Sequence, residues 1–203
     1  GDPTWGEATR LDRPQRSQSS RLTSFGLDML YPEMTVATTD ELRNRKAAAP
    51  LRTTNWLSVG VLSGDRFGLP GPVNRIATAY LKDGIGVFRF EPSATPLYGL
   101  TVYSPAGTDA STGKPYRDHR DAETLYVNRD NSGQVDVLIQ CANRPNLEAA
   151  PCKHQFSLEP EMKVLVYVHY RRGMLSEWAS IQRSVSKQIV EFTVPSISDP
   201  VRK

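Results

Sequence analysis

Apolar and polar residues alternate over short stretches in the second half of the chain, and this pattern predicts β-strands. In residues 86–91, Phe88 and Phe90 alternate with polar or smaller neighbours, as expected for a strand with one buried face. Aromatic and β-branched residues fill further segments, at 96–104, 124–129, 134–141, 154–158 and 163–172. Residues 54–65 and 76–81 carry similar strand signals nearer the start. The turn sequence DNSG at 130–133 predicts a β-hairpin.

Two segments carry helical rather than strand patterns. Residues 174–192 place their large apolar side chains at helical spacing, which predicts an amphipathic helix packed on the sheet. These residues are Leu175, Trp178, Ile181, Val185 and Ile189. Residues 38–50 predict a short helix, which Thr39 or Asp40 caps and Pro50 ends.

Together these elements predict an α+β fold. It consists of an antiparallel sheet, a C-terminal amphipathic helix packed on that sheet and a short N-terminal helix. Residues 26–194 are expected to form one domain of this kind. Residues 1–25 are polar and contain Pro and Ser, so they are expected to form an extended lead-in, and residues 195–203 a loose tail.

Charge and hydropathy exclude two classes of partner. The 25 basic residues are interleaved with 22 acidic ones, and a net charge of +3 gives no reason to expect nucleic-acid binding. No apolar run approaches the roughly 20 residues that an integral membrane span needs.

The two cysteines, Cys141 and Cys152, stand close to His154 and raise three alternatives. A metal site with His154 and His169 would have the spacing C-x10-C-x-H, which matches no common zinc finger. A catalytic thiol is disfavoured because residues two apart on a strand point the same way, not toward each other. A disulfide is favoured, since Cys141 ends one predicted strand and Cys152 begins the next. It would stabilise the fold by about 3 kcal/mol and indicate an oxidising compartment.

Other familiar site motifs are absent or incomplete. Residues 128–139 resemble a calcium loop at Asn128, Asp130, Ser132 and Gly133, but Ile139 stands where a bidentate Glu is required. There is no nucleophile elbow, no Walker loop and no H-E-x-x-H motif. The sequence therefore predicts neither an enzyme nor a cofactor or metal site.

The long polar loop at 105–123 is the best candidate for recognising a partner, because long loops on a rigid sheet often carry binding residues. Its charges alternate in sign, which suits a specific protein partner better than a polyanion. The candidate partner-binding residues are Arg117, Asp118, His119, Arg120 and Asp121.

Two elements within residues 84–192 resemble a known class of protein. One is the C-x-H-x-F element of Cys152, His154 and Phe156, preceded by Cys141. The other is YRRGxLxxW, formed by Tyr170, Arg171, Arg172, Gly173, Leu175 and Trp178. The pattern resembles small envelope proteins of proteobacteria that are often found beside type VI secretion effectors and serve as their immunity proteins.

This resemblance implies a periplasmic protein that binds and blocks a toxic effector, commonly a lipase or a cell-wall hydrolase. It implies no cofactor and no catalytic residues. The chain lacks the N-terminal lipobox cysteine of some such proteins. Two alternatives therefore stay open: a soluble protein, and a protein with a lipid anchor upstream of Gly1.

The sequence thus supports a binding protein, with immunity to a type VI effector as the first hypothesis. The alternative is an envelope-located adaptor or structural binding protein of the secretion system.

Overall fold

A single nine-stranded antiparallel sheet organises residues 23–193, the part of the chain that the computed structural model describes. The strand order across the sheet is β2-β1-β3-β9-β8-β7-β6-β5-β4, so β2 and β4 form its edges. The strands are β1 (Ser24–Leu30), β2 (Thr35–Val36), β3 (Trp56–Ser63), β4 (Phe90–Pro92), β5 (Thr101–Pro105), β6 (Glu123–Arg129), β7 (Val135–Ala142), β8 (Pro151–Ser157) and β9 (Val164–Arg171).

Three α-helices accompany the sheet: α1 (Asp40–Ala47), α2 (Pro72–Asp83) and α3 (Trp178–Thr193). A short 3-10 segment, Arg172–Glu177, leads from β9 into α3. The predicted α+β class, with a C-terminal helix and a short helix near the start, is confirmed. At the start of α1, the side chain of Thr39 accepts a hydrogen bond from the Leu42 amide over 3.3 Å, as a helix N-cap does.

The predicted lead-in and tail fall largely on residues 1–22 and 194–203, which lie outside the described residues. β1 begins at Ser24, before the predicted domain start at residue 26. The sequence pattern did not identify β1, although it pairs along its whole length with β3.

Helix α2 corrects the strand prediction for residues 76–81. Gly71 takes a left-handed conformation, and Pro72 has the fixed φ that suits the first helical position. Gly84 ends the helix at φ 80°, where a Cβ would collide with the Phe88 carbonyl oxygen. The apolar residues then share one helical face: Val73, Ile76, Ala77, Tyr80 and Leu81. This 3.6-residue spacing decides the structure over the local β-propensity.

Helix α3 covers one face of the sheet and closes the larger core. Ile181, Val185 and Ile189 point inward and are buried. They belong to the same apolar cluster as Phe156 of β8 and Val166 of β9. The spacing of apolar residues in the sequence thus identified the buried face of α3.

Helix α2 covers part of the opposite face and forms a second, smaller core. Phe67 and Ala77 pack there with Leu125, Leu138 and Leu165 of the sheet. Beyond this helix, towards β3 and β9, the same face carries polar residues. The sheet therefore carries the larger apolar core on the face under α3 and the smaller core on the face under α2.

The packing of α2 gives a direct test of the corrected element. We expect Ala77→Leu to lower the free energy of unfolding by about 1–3 kcal/mol, because Ala77 has 0% exposure and no room for a larger side chain. The control Ala79→Leu makes the same change on the exposed side of the same helix and is expected to stay within about 0.5 kcal/mol of the wild type. Urea unfolding of both variants measures the difference, and equal effects would contradict this placement of α2.

Candidate functional site

The two cysteines form a disulfide that crosses two adjacent strands. Cys141 of β7 lies directly opposite Cys152 of β8, with 4.0 Å between their Cα atoms. Both residues are buried, so the bond lies within the core under α3. It closes the loop at 143–150, whose Glu148 and Ala150 carbonyl oxygens accept hydrogen bonds from the Gly173 and Arg172 amides. The disulfide therefore also stabilises the loop that holds the 3-10 segment before α3.

The histidines that a metal site would need lie apart. His154 lies beneath α3, whereas His169 lies on the opposite face of the sheet beside Ser58 and Gly60. Within residues 23–193, no group of three or more His, Cys, Asp or Glu side chains is placed to hold a metal ion.

His154 is fully buried in a hydrogen-bond network that joins the sheet to α3. Its Nε2 lies 3.1 Å from Gln182 Oε1, and its Nδ1 lies 3.3 Å from the Tyr170 hydroxyl. These partners fit a neutral ring in which Nε2 donates to Gln182 and Nδ1 accepts from Tyr170. Burial lowers the pKa of His154 to about 3, and burial raises the pKa of Tyr170. Because the ring has no access to solvent, we assign it a structural role.

The predicted recognition loop is held firmly but leaves its charges exposed. Asn143 donates from Nδ2 to the Arg117 carbonyl oxygen over 2.7 Å and to the His119 carbonyl oxygen over 3.2 Å. On the other side, Phe88 packs against the rings of Tyr116 and His119. Asn143 was not a candidate in the sequence analysis, because its contact with the loop depends on the sheet register.

The five candidate side chains, Arg117, Asp118, His119, Arg120 and Asp121, are all exposed. The structure brings them together on one ordered loop. A shallow groove of about 360 Å³ runs beside them, lined by Asp118, Arg120 and Arg144 among others. Arg120 Nε lies 3.6 Å from Asp121 Oδ1, a solvent-exposed ion pair that contributes little to stability. The loop therefore offers polar groups that remain available to a partner.

The β4–β5 hairpin places its turn inside the segment predicted as a strand at 96–104, so that prediction is wrong for its first half. Similarly, β4 begins only at Phe90, whereas the predicted strand began at residue 86. Leu97 and Leu100 exchange both backbone hydrogen bonds, which leaves Tyr98 and Gly99 as the two turn residues. Gly99 was the local signal for this turn.

Helix α2 covers only part of one face of the sheet, and the rest of that face carries a separate polar surface. Lys46 Nζ of α1 lies 2.5 Å from Asp28 Oδ1 and 2.8 Å from Ser58 Oγ. Nearby, the ammonium group of Lys153 lies over the Tyr167 ring, 5.6 Å from its centre. Partial burial, and then the charge of Lys153, lower the pKa of His169. The charged groups of this surface, Lys46, Asp28 and Lys153, therefore already have partners within the chain.

An apolar groove of about 740 Å³ lies between β1 and the end of α3. Its lining includes Phe25 and Phe192, which lie next to the two ends of the described chain. None of the helices in residues 23–193 has the length and apolar character to cross a bilayer.

Comparison with known proteins identifies one fold relative. No family model matches the chain, and no curated protein matches it. The fold is similar to that of Smlt3025, an immunity protein of the Stenotrophomonas maltophilia type IV secretion system. The match covers 83% of this chain and 81% of that chain, with a TM-score of 0.57 and 19% sequence identity. The chain thus shares its fold with a secretion-system immunity protein.

Proposed function

We propose that this protein is an immunity protein that binds a secreted toxic effector and neutralises it. The observation that carries the proposal is the fold shared with Smlt3025 across more than four fifths of both chains. The motifs of Cys152 to Phe156 and Tyr170 to Trp178 point the same way, because they independently resemble immunity proteins.

The proposed contact surface is the ordered loop that carries Arg117, Asp118, His119, Arg120 and Asp121. Asn143 fixes its backbone and Phe88 packs against its rings, so little conformational entropy is lost when the loop binds. Its exposed charges have both signs, which favours a partner with a matching charge pattern. Such a surface blocks an effector by covering its active site or by holding it in an inactive form.

We propose the periplasm as the compartment of action. The buried disulfide supports this, since disulfides persist in oxidising compartments. Delivery of a lipase or cell-wall hydrolase by a type VI system is the narrower hypothesis from the sequence resemblance. Smlt3025 belongs to a type IV system, so the proposal of immunity does not depend on the delivery route.

Protection from toxicity tests the proposal. The protein encoded next to this chain's gene is expressed in the periplasm of a susceptible bacterium, alone or together with this protein. We expect growth arrest without this protein, restored growth with it, and a stable complex on co-purification. Arrest that persists in its presence, with no complex, would overturn the proposal. A complex that forms without protection, together with failed effector export on gene deletion, would establish the adaptor alternative instead.

Charge reversal tests the loop as the contact surface. We expect Arg117→Glu with Arg120→Glu to slow association with the effector at least about tenfold at low salt, because interface charges mainly steer encounter. The control, Arg45→Glu with Arg183→Glu, makes the same charge change at exposed sites on α1 and α3, outside the loop, and is expected to change the rate by less than about threefold. Stopped-flow kinetics at two salt concentrations separates the two variants.

A further inference from the structure

We propose that Tyr98, at the tip of the β4–β5 hairpin, is an apolar anchor that enters a hydrophobic pocket of the effector. This inference rests on the proposed immunity function and adds a second contact to it. Tyr98 is 51% exposed and its neighbour Leu97 is 40% exposed. Each residue from 91 to 99 is exposed, yet residues 92–99 contain no charged side chain. An exposed and uncharged tip of this kind is typical of a recognition surface.

The turn at the tip holds tyrosine where other residues would be favoured. Tyr98 has φ 54° and Gly99 has φ 81°, the two positive φ values that characterise a type I′ hairpin turn. Asn, Asp and Gly are favoured at the first of these positions, because a larger side chain is strained there. Tyrosine is therefore a poor choice for forming the turn. About half of its surface is buried and it interacts electrostatically with Tyr126, so it is the exposed half that calls for another explanation. Contact with a partner provides one.

Helix α3 holds this tip in place. The indole Nε1 of Trp178 donates a hydrogen bond to the Tyr98 carbonyl oxygen over 3.0 Å. Leu100, directly after the turn, is fully buried in the main core. The ring of Tyr98 is thus presented on a backbone that is fixed from both sides, which reduces the entropy lost on binding.

The position of the tip relative to the charged loop favours one protein partner for both. The hairpin turn precedes the five-residue strand β5, and the loop with Arg117 and Asp118 follows it. Five residues of strand span about 17 Å. A standard interface covers about 800 Å² on each partner, a patch about 30 Å across. The tip and the loop lie at opposite ends of β5, and an interface of this width extends over both, so one effector contacts Tyr98 at one side and the charged loop at the other.

The substitution Tyr98→Asn separates binding from folding. Asn suits the left-handed turn, so the variant is expected to match or exceed the wild type in thermal stability. Its Kd for the purified product of the neighbouring gene is expected to rise at least about 30-fold, mainly through faster dissociation. Tyr98→Phe keeps the ring and is expected to stay within about threefold of the wild type.

The control is Leu69→Asn, which removes an exposed apolar side chain outside the hairpin. It is expected to change Kd less than about threefold. If the wild type binds the neighbouring gene product but Tyr98→Asn binds equally well, this inference fails while the immunity proposal stands. If the wild type does not bind it at all, the immunity proposal itself fails. Self-association of the wild type that Tyr98→Asn abolishes would instead assign the tip to a second copy of this chain.

Discussion

Reduction of the Cys141–Cys152 disulfide is expected to lower the free energy of unfolding by about 3 kcal/mol, because it frees a loop of about a dozen residues in the unfolded chain. For a domain of this size, the melting temperature should fall by about 6–12 °C. The chain contains only these two cysteines, so a reductant acts on this bond alone. Thermal and urea unfolding with and without dithiothreitol measure the effect.

The double variant Cys141→Ala with Cys152→Ala is the control for this experiment. It should be at least as unstable as the reduced wild type, since it also removes two buried sulfur atoms. Dithiothreitol should leave its stability unchanged. If reduced and oxidised wild type unfold alike, the disulfide contributes nothing to stability and this prediction is wrong.

Much of this fold could be predicted because many of its strands and helices carry strong local patterns. The hairpin of β6 and β7 follows from apolar segments on either side of Asp130 and Gly133. Helix α3 follows from the regular spacing of Ile181, Val185 and Ile189. In each case, local preference and burial in the folded protein favour the same element.

The elements that were mispredicted lack this agreement. In α2, Ile76 and Tyr80 favour a strand locally, whereas the signals at its ends, Pro72 and Gly84, and the packing of its apolar face on the sheet favour a helix. Likewise, the exposure of the Tyr98 ring follows from the turn that joins β4 to β5, and the hydrogen bond from Trp178 to the Tyr98 carbonyl oxygen follows from the position of α3. A linear sequence gives the residue types of such a site but not which of them meet.

Acidification is expected to destabilise the protein through His154. Its pKa is about 3 in the folded state, where burial disfavours the charged ring, and about 6.5 in the unfolded chain. Because the folded pKa is lower, the contribution of the neutral ring is complete above pH 6.5 and is lost as the pH falls towards 3. At about 1.4 kcal/mol per pH unit, this single group should reduce the free energy of unfolding by about 2 kcal/mol between pH 7 and pH 5.

The variant His154→Gln isolates this effect because its side chain has no charge at any pH. At pH 7 we expect it to be less stable than the wild type, since the ring contacts with Phe156, Tyr170 and Trp178 are lost. Between pH 7 and pH 5 the difference in unfolding free energy between the two proteins should narrow by about 2 kcal/mol, because only the wild type has a histidine at position 154 that protonates on unfolding. The control His169→Gln removes a partly exposed ring. The difference in stability between this variant and the wild type should change less between pH 7 and pH 5.

Direct titration of the ring by NMR supplies a measurement that does not depend on the variant. The His154 resonances of the folded wild type should stay constant from pH 7 to pH 4, in keeping with a neutral ring that donates to Gln182. A midpoint near pH 6.5 would contradict the buried network. The protection factors of the most slowly exchanging α3 amides should fall between pH 7 and pH 5 in the wild type and fall less in His154→Gln, because only the unfolded wild-type chain binds a proton at position 154 in this range.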